Sequence, residues 1–183
     1  MSDYGVSSYR RYLQGDHQAL EECIRTYSDA LVRFAYCYVK DAAAAEDIME
    51  ETFATLIFKS GSFPSEGHFR AYLYRVARNK AIDHLRRYRC EVPLTDVENV
   101  LHSGDMEQDA IRQESRRKIY VCMQALPPQY REVLQMTYFD NFSVEMVCAV
   151  LHKSAKQVYN LLARAKAALR KLLETEGVSY EDL

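Results

Sequence analysis

"NFSVEMVCAVLHKSAKQVYNLLARAKAALRK", residues 141–171, is the stretch on which the reading of the whole chain turns. It has the rhythm of two short helices joined by a tight turn, the second ending in a basic run. Ser143 and Ser154 stand where each helix would be capped, and Ser154 with Gln157 fits the S-x-x-Q capping box. That spacing suggests a helix-turn-helix reading DNA. The positions expected to face bases carry Gln157, Tyr159 and Leu161 in place of a row of Lys and Arg, so the stretch alone does not decide between a reader and a look-alike.

Moving toward the N-terminus, Pro127 and Pro128 open a helix at its first turn, where a missing N–H costs little. Before it, a helix is expected over about 106–125, with Ile111, Ile119 and Cys122 toward a core. From Cys90 to Asp109 the periodicity weakens. Pro93, Gly104 and seven acids between Glu91 and Glu114, against Arg112 alone, predict a solvated acidic linker.

Three further helices are expected upstream of that linker. Asp16 caps one that runs to Val39, with Leu20, Ile24, Tyr27, Leu31, Phe34 and Tyr38 recurring at helical spacing. Asp41 and an alanine run open the next. Its apolar side is Ile48, Met49, Phe53, Leu56 and Ile57, and its other face carries Glu46, Asp47, Glu50 and Glu51. Gly61, Pro64 and Gly67 break the pattern before "HFRAYLYRVARNKAIDHLRRYR", where Phe69, Leu73, Val76, Ile82 and Leu85 form the stripe. No strand-like alternation and no internal repeat is present. The fold class that follows is all-α, as two small helical domains joined by a flexible acidic linker.

The bulk numbers narrow the function. A chain of 183 residues can bury a real core, and its net charge of −2 gives no global attraction to nucleic acid. No apolar run reaches the ~18–20 residues of a membrane helix, and the N-terminus lacks the apolar core of a signal peptide. The five scattered cysteines form no CxxC pair, which favours reduced core thiols in the cytoplasm over a zinc site. There is no Gly-rich phosphate loop, G-x-S-x-G or H-E-x-x-H, and the five histidines are isolated, so catalysis and a cofactor are not expected.

Charge is nonetheless concentrated in two places. Arg70, Arg75, Arg78, Lys80, Arg86, Arg87 and Arg89 are opposed in their stretch by Asp83 alone. Residues 152–173 hold Lys153, Lys156, Arg164, Lys166, Arg170 and Lys171 and no acid. Two basic helices in separate domains suit phosphate neutralisation. Phe69, Tyr72, Tyr74 and Tyr88 interleave the first patch, and rings among cations suit single strands, although core packing is the commoner use of any one ring.

Taken in order, "ALVRFAYCYVKDAAAAEDIMEETFATLIFK", "FRAYLYRVARNKAIDHLRR" and the stretch from Ala125 to Leu173 resemble a bacterial RNA polymerase sigma factor of the sigma-70 family, extracytoplasmic-function (ECF) type. The resemblance spans roughly residues 12–173. It implies sigma region 2 over 12–89, a linker over 90–109, and sigma region 4 with the helix-turn-helix over 110–175. It further implies a cytoplasmic protein that binds core RNA polymerase and promoter DNA, promotes melting for transcription initiation, and has an anti-sigma partner.

The same resemblance assigns roles to residues. Glu46, Asp47, Glu50 and Glu51 would dock on the clamp helices of the polymerase's largest subunit, with Glu50 standing where the family often has Gln. The loop 60–67 would wall a pocket for a base flipped from the −10 element. Asn79 and Asp83, four apart on one helix face, would bond that base, while Arg75, Arg78, Arg86 and Arg87 bind phosphates. The −35 element would be read by Ser154, Lys156, Gln157, Tyr159, Asn160, Arg164 and Lys166. Two departures bear on this last site: His152 stands where the family commonly has Gly, and Tyr159 and Leu161 where it tends to Lys or Arg. About 16–20 extended residues of linker span up to roughly 55–70 Å, enough to bridge the two elements. Two other readings remain: a helix-turn-helix regulator acting without polymerase, and a sigma-like decoy that binds polymerase without reading promoters.

Overall fold

The computed structural model describes residues 4–59, 61–88 and 110–175. Within them the chain forms α1 (Tyr4–Leu13), α2 (His17–Val39), α3 (Ala42–Ile57), α4 (Glu66–Tyr88), α5 (Ala110–Ala125), α6 (Pro128–Leu134), α7 (Val144–Leu151) and α8 (Ala155–Thr175). A π-helical stretch, Gln135–Phe139, continues α6. No strand occurs among the described residues, and no helix there is long and apolar enough to cross a membrane. The expected linker at 90–109 lies outside the described residues.

Local chemistry sets the helix ends. The Asp16 carboxylate accepts from the Ala19 N–H at 3.3 Å and starts α2. α2 stops at Lys40 in the left-handed conformation (φ 55°), whose N–H returns to the Tyr36 carbonyl at 3.1 Å. Asp41 immediately caps α3 by accepting from the Ala44 N–H at 2.7 Å. Two residues thus reverse the chain, and α2 and α3 pack as a hairpin with α4 laid across both. Phe34, Leu31, Leu56, Phe69 and Leu73 fill the space between them at no exposure. Fully burying each such side chain contributes about 1.5–3 kcal/mol.

Three features differ from expectation. The sequence pattern does not announce α1, whose run carries Gly5 and two serines. Its N-terminal turn is fixed from outside, because the Val6 N–H donates to Glu66 at 2.8 Å and the Tyr27 hydroxyl donates to the same carboxylate. Gly5 is required there, since a Cβ would come within 2.4 Å of a Tyr27 ring carbon. Gly67, expected to lie in the break, instead sits in the first turn of α4. Ile57, assigned to the apolar side of α3, is 41% exposed.

α5 to α8 form the second domain. Its core is not separate from the first. Phe34, Tyr74 and Phe142 form a chain of rings, with centroids 4.7 Å and then 4.5 Å apart, that runs from α2 through α4 to the loop before α7. α7 packs on α4 and α6 on α2, so one continuous apolar cluster underlies both domains.

Candidate nucleic-acid interface

The helix-turn-helix is built as its sequence predicts. The Ser143 hydroxyl accepts from the Met146 N–H at 3.3 Å and starts α7. α7 ends at His152 with φ 52° and ψ 45°, the left-handed conformation that glycine adopts without cost. The Lys153 N–H then closes on the Cys148 carbonyl at 3.2 Å. Ser154 and Gln157 form the reciprocal box: the Ser154 N–H donates to Gln157 Oε1 at 2.9 Å, and the Gln157 N–H to Ser154 Oγ at 3.4 Å. Gln157's carbonyl oxygen is therefore used in the cap.

α8 buries Val158, Leu162 and Ala165 and presents Lys156, Gln157, Tyr159, Asn160 and Arg164 to solvent. Leu161 is half-buried against the core, so it is a packing residue and not a reading position. Tyr159, 59% exposed, remains as the one departure on the outer face. Lys166 is held over the Tyr138 ring at 5.1 Å. Widening of α6 into the π-helical stretch places Tyr138 and Phe139 outside at 51% and 55% exposure.

α4 is different. Asn79 and Asp83 are exposed, and Asp83 pairs with Arg86 at 3.2 Å on the surface, a contact of little energetic weight. Arg87 is exposed, and Arg75 lies 5.7 Å from the Tyr72 ring. Tyr72 packs tilted on Phe63 at 5.1 Å, and Tyr74 is 1% exposed in the core, so these rings are structural before they are anything else. Arg78 points inward. Its Nε donates to Glu132 Oε2 at 2.9 Å across the two domains.

Glu132 and its neighbour Arg131 carry no motif, and sequence reasoning passed over both. Each is 2% exposed. Arg131 donates to the Leu126 carbonyl at 2.8 Å, to the Gln124 carbonyl at 3.0 Å and to the Cys37 carbonyl of α2. Burial pushes the Glu132 carboxyl up to about 8, and Lys153 opposes this in part. The Arg78 guanidinium also opposes it, but the net direction is upward, because Arg78 is 22% exposed against 2% for the carboxyl. Burial likewise raises Asp140 to about 6 and the Cys23 and Cys37 thiols to about 12. Cys122 is also buried and Cys148 half-buried, as expected of core thiols, whereas Cys90 lies outside the described residues.

On α3 the carboxylates Glu46, Asp47, Glu50 and Glu51 are all exposed, on the side opposite the buried Ala45, Ile48, Thr52 and Leu56. Glu51 meets Lys80 of α4 at 2.9 Å. Just past the C-terminus of α3, Phe58 is 89% exposed.

Two helical domains, an outward acidic helix and a capped helix-turn-helix define the class of a modular transcription protein. Comparison with known proteins agrees. Sigma-70 region 2 matches residues 23–90, and Sigma-70 region 4 matches residues 116–169. The RNA polymerase sigma-E factor of Streptomyces antibioticus is 31% identical over 171 residues, covering 93% of each chain. The ECF RNA polymerase sigma factor SigM of Bacillus subtilis is 28% identical over 163 residues, covering 88% of this chain and 99% of its own. Among solved structures, CnrH in complex with the cytosolic domain of CnrY shares the fold with a TM-score of 0.66 at 24% identity, over 94% of this chain and 99% of that one. The sigma factor RpoE of Bartonella quintana, bound to the anti-sigma factor NepR, gives 0.63 at 20% identity, over 84% and 96%. The chain belongs to the sigma-70 family and is an ECF-type sigma factor.

Proposed function

We propose that this chain binds core RNA polymerase and directs it to promoters, acting in the cytoplasm as a binding and positioning subunit without catalysis of its own. The observation that carries this reading is the presence of regions 2 and 4 in one chain, in order, matching residues 23–90 and 116–169. Glu46, Asp47, Glu50 and Glu51 serve as an exposed carboxylate row for a basic clamp surface, which favours fast, salt-sensitive docking. Asn79 and Asp83, both solvent-facing on α4, bond the edge of a base flipped from the −10 element, with Arg75, Arg86 and Arg87 on nearby phosphates. Arg78 joins them once it is released from Glu132.

The exposed face of α8 reads the −35 element in the major groove. Ser154 sits at the helix N-terminus against backbone phosphate, Gln157 and Asn160 present amides to adenine, and Lys156, Arg164 and Lys166 hold phosphates. Tyr159 sets a base preference unlike that of a Lys or Arg at the same place. An anti-sigma protein is the partner that would hold the factor in reserve.

Run-off transcription on fragmented genomic DNA, with core polymerase alone and with this chain added, tests the reading. New discrete start sites that depend on the chain are expected. Co-purification with core polymerase but no new start site sinks promoter reading and leaves a polymerase-binding decoy. Binding of specific duplex without any polymerase association favours a helix-turn-helix regulator.

A further inference from the structure

One face of α1 is bonded along the segment that joins α3 to α4. Val6, Tyr9 and Arg10 share that face, spaced i, i+3 and i+4. The Tyr9 hydroxyl is shared between the Lys59 carbonyl at 3.0 Å and the Leu56 carbonyl at 3.3 Å, so it spans the end of α3 and the residues just past it. Arg10 donates to the Phe63 carbonyl at 3.0 Å. At the far end, the Val6 N–H donates to Glu66 at 2.8 Å. The Tyr9 ring has no exposure and packs on Phe63 at 5.5 Å and on Phe69 at 5.6 Å.

The loop has little of its own to hold it. Gly61 turns it at φ 92°, a conformation open to glycine. Among the described residues, no backbone–backbone hydrogen bond is made by 61–64. α1, by contrast, is fixed: Arg11 meets Asp16 at 2.6 Å and Glu22 at 2.9 Å, and the Ser8 hydroxyl donates to Glu22 at 3.0 Å, which ties the helix to α2. Core packing accounts for the Tyr9 ring. It does not account for Arg10, an exposed side chain whose guanidinium holds one carbonyl of the loop.

The outer side of the loop displays Ser62, Pro64 and Ser65. Its inner residue, Phe63, lies 5.1 Å from Tyr72 of α4. Asn79 is two turns further along the same face of α4, about 10 Å away at 1.5 Å per residue. The course of the loop therefore shapes the space in front of Asn79.

We propose that α1 braces the −10 loop, with Tyr9 and Arg10 as positioning residues that set promoter selectivity without touching DNA. The inference rests on this loop walling the pocket for the flipped base. Recognition is carried by loops that a rigid scaffold fixes, and a binding constellation has to be held to within about 0.5 Å. Selectivity at the flipped base then depends on the N-terminal helix as well as on Asn79 and Asp83.

The test uses the full chain in two measurements. In the free chain, the initial rate of tryptic cleavage after Lys59, followed by mass spectrometry, reports the brace without DNA or polymerase. With core polymerase, run-off transcription from templates randomised through the −10 element gives the ratio of initiation between the preferred and the poorest base. Tyr9→Phe keeps the ring and loses the hydroxyl, and Arg10→Ala loses the guanidinium. Each should raise cleavage after Lys59 at least threefold and cut the −10 ratio at least threefold, with −35 preference unchanged. Arg10→Lys keeps a donor and should recover most of both. Ser8→Ala removes a bond of α1 that does not reach the loop and should match wild type. Circular dichroism identifies any variant that has lost its helices. Folded Tyr9→Phe and Arg10→Ala chains that are cleaved as slowly as wild type overturn the brace. Faster cleavage with an unchanged −10 ratio overturns the role in selectivity, as does equal relaxation in Ser8→Ala or at the −35 element. A wild-type chain with no base preference at any −10 position removes the −10 reading and the selectivity role with it, while cleavage still decides the brace by itself.

Discussion

α4 and α8 are both basic, and the difference between them shows that charge on a helix is not the same as charge on offer. On α8, Lys156, Asn160 and Arg164 stand in solvent on a face shaped by the Ser143 and Ser154 caps. On α4, Arg70 and Arg78 are turned into the protein, Lys80 meets Glu51, Arg86 meets Asp83, and Arg75 lies near the Tyr72 ring. One helix holds its charge in solvent, and the other has part of its charge spent within the chain.

The comparison breaks most easily at Arg131. Arg131→Ala strands three carbonyls, one of them Cys37 of α2, and should lower stability by about 3 kcal/mol, seen as a fall in the urea midpoint. A loss below about 1 kcal/mol would mean that α6 does not bind the two domains together. A second test compares the cations directly. In the polymerase-bound factor, Lys156→Ala with Arg164→Ala should weaken duplex binding and flatten its log–log salt dependence by roughly 0.9 per phosphate contact removed. In the free chain, where Arg78 is paired with Glu132, Arg87→Ala on the exposed part of α4 should flatten the salt dependence of single-strand binding by no more than one phosphate contact. Equal effects from the two helices would erase the distinction.

Acidity sharpens it further. Glu132, raised from 4.5 to about 8, and Asp140, raised from 3.8 to about 6, both hold their protons more tightly in the folded chain. Folding stability from a carboxyl raised in this way is complete below its unfolded value and is lost as pH rises through the folded one. The domain contact should therefore be firmest near pH 4–5 and loosen in steps through about 6 and about 8, as scattering at constant ionic strength would show. A contact that tightens with rising pH would mean that the Arg78 ion pair outweighs burial. The smallest effect is at the turn: His152→Gly should add under about 1 kcal/mol to the melting free energy by relieving the left-handed backbone, if α8's cap is already well made. A loss on that change would show that the imidazole itself contributes at the turn.

The turn is also where the sequence was most informative. His152 at the place of a glycine, and Ser154 three residues before Gln157, specify a left-handed stop and a capping box, and both occur. Asp16 and Asp41 announced their helices for the same reason, since a cap is a contact between near neighbours. The domain contact obeys no such local rule. Arg131 and Glu132 sit in "PPQYREVLQ" like ordinary surface charges of a short amphipathic helix, yet every residue from Arg131 to Met136 is buried. Four consecutive buried residues, 131–134, on one helix need a second body, and nothing in seven residues names α2 and α4 as that body. α1 was missed for a related reason: its N-terminal turn depends on Glu66, 60 residues from the Val6 N–H it accepts. Leu161 illustrates the reverse error, where a family habit at one position concealed plain 3.6-residue periodicity with Val158, Leu162 and Ala165.

The acidic face of α3 is fully open to solvent, while on α4 Arg70 and Arg78 are engaged within the chain. On the proposed function, Glu46, Asp47, Glu50 and Glu51 give the polymerase a handle that needs no rearrangement of the chain. A bacterial chromosome presents on the order of 10⁶ or more non-specific sites, and a factor with two bare basic helices would be spread thinly across them. A factor that shows its enzyme a handle and hides part of its grip on DNA stays in circulation until it is hired.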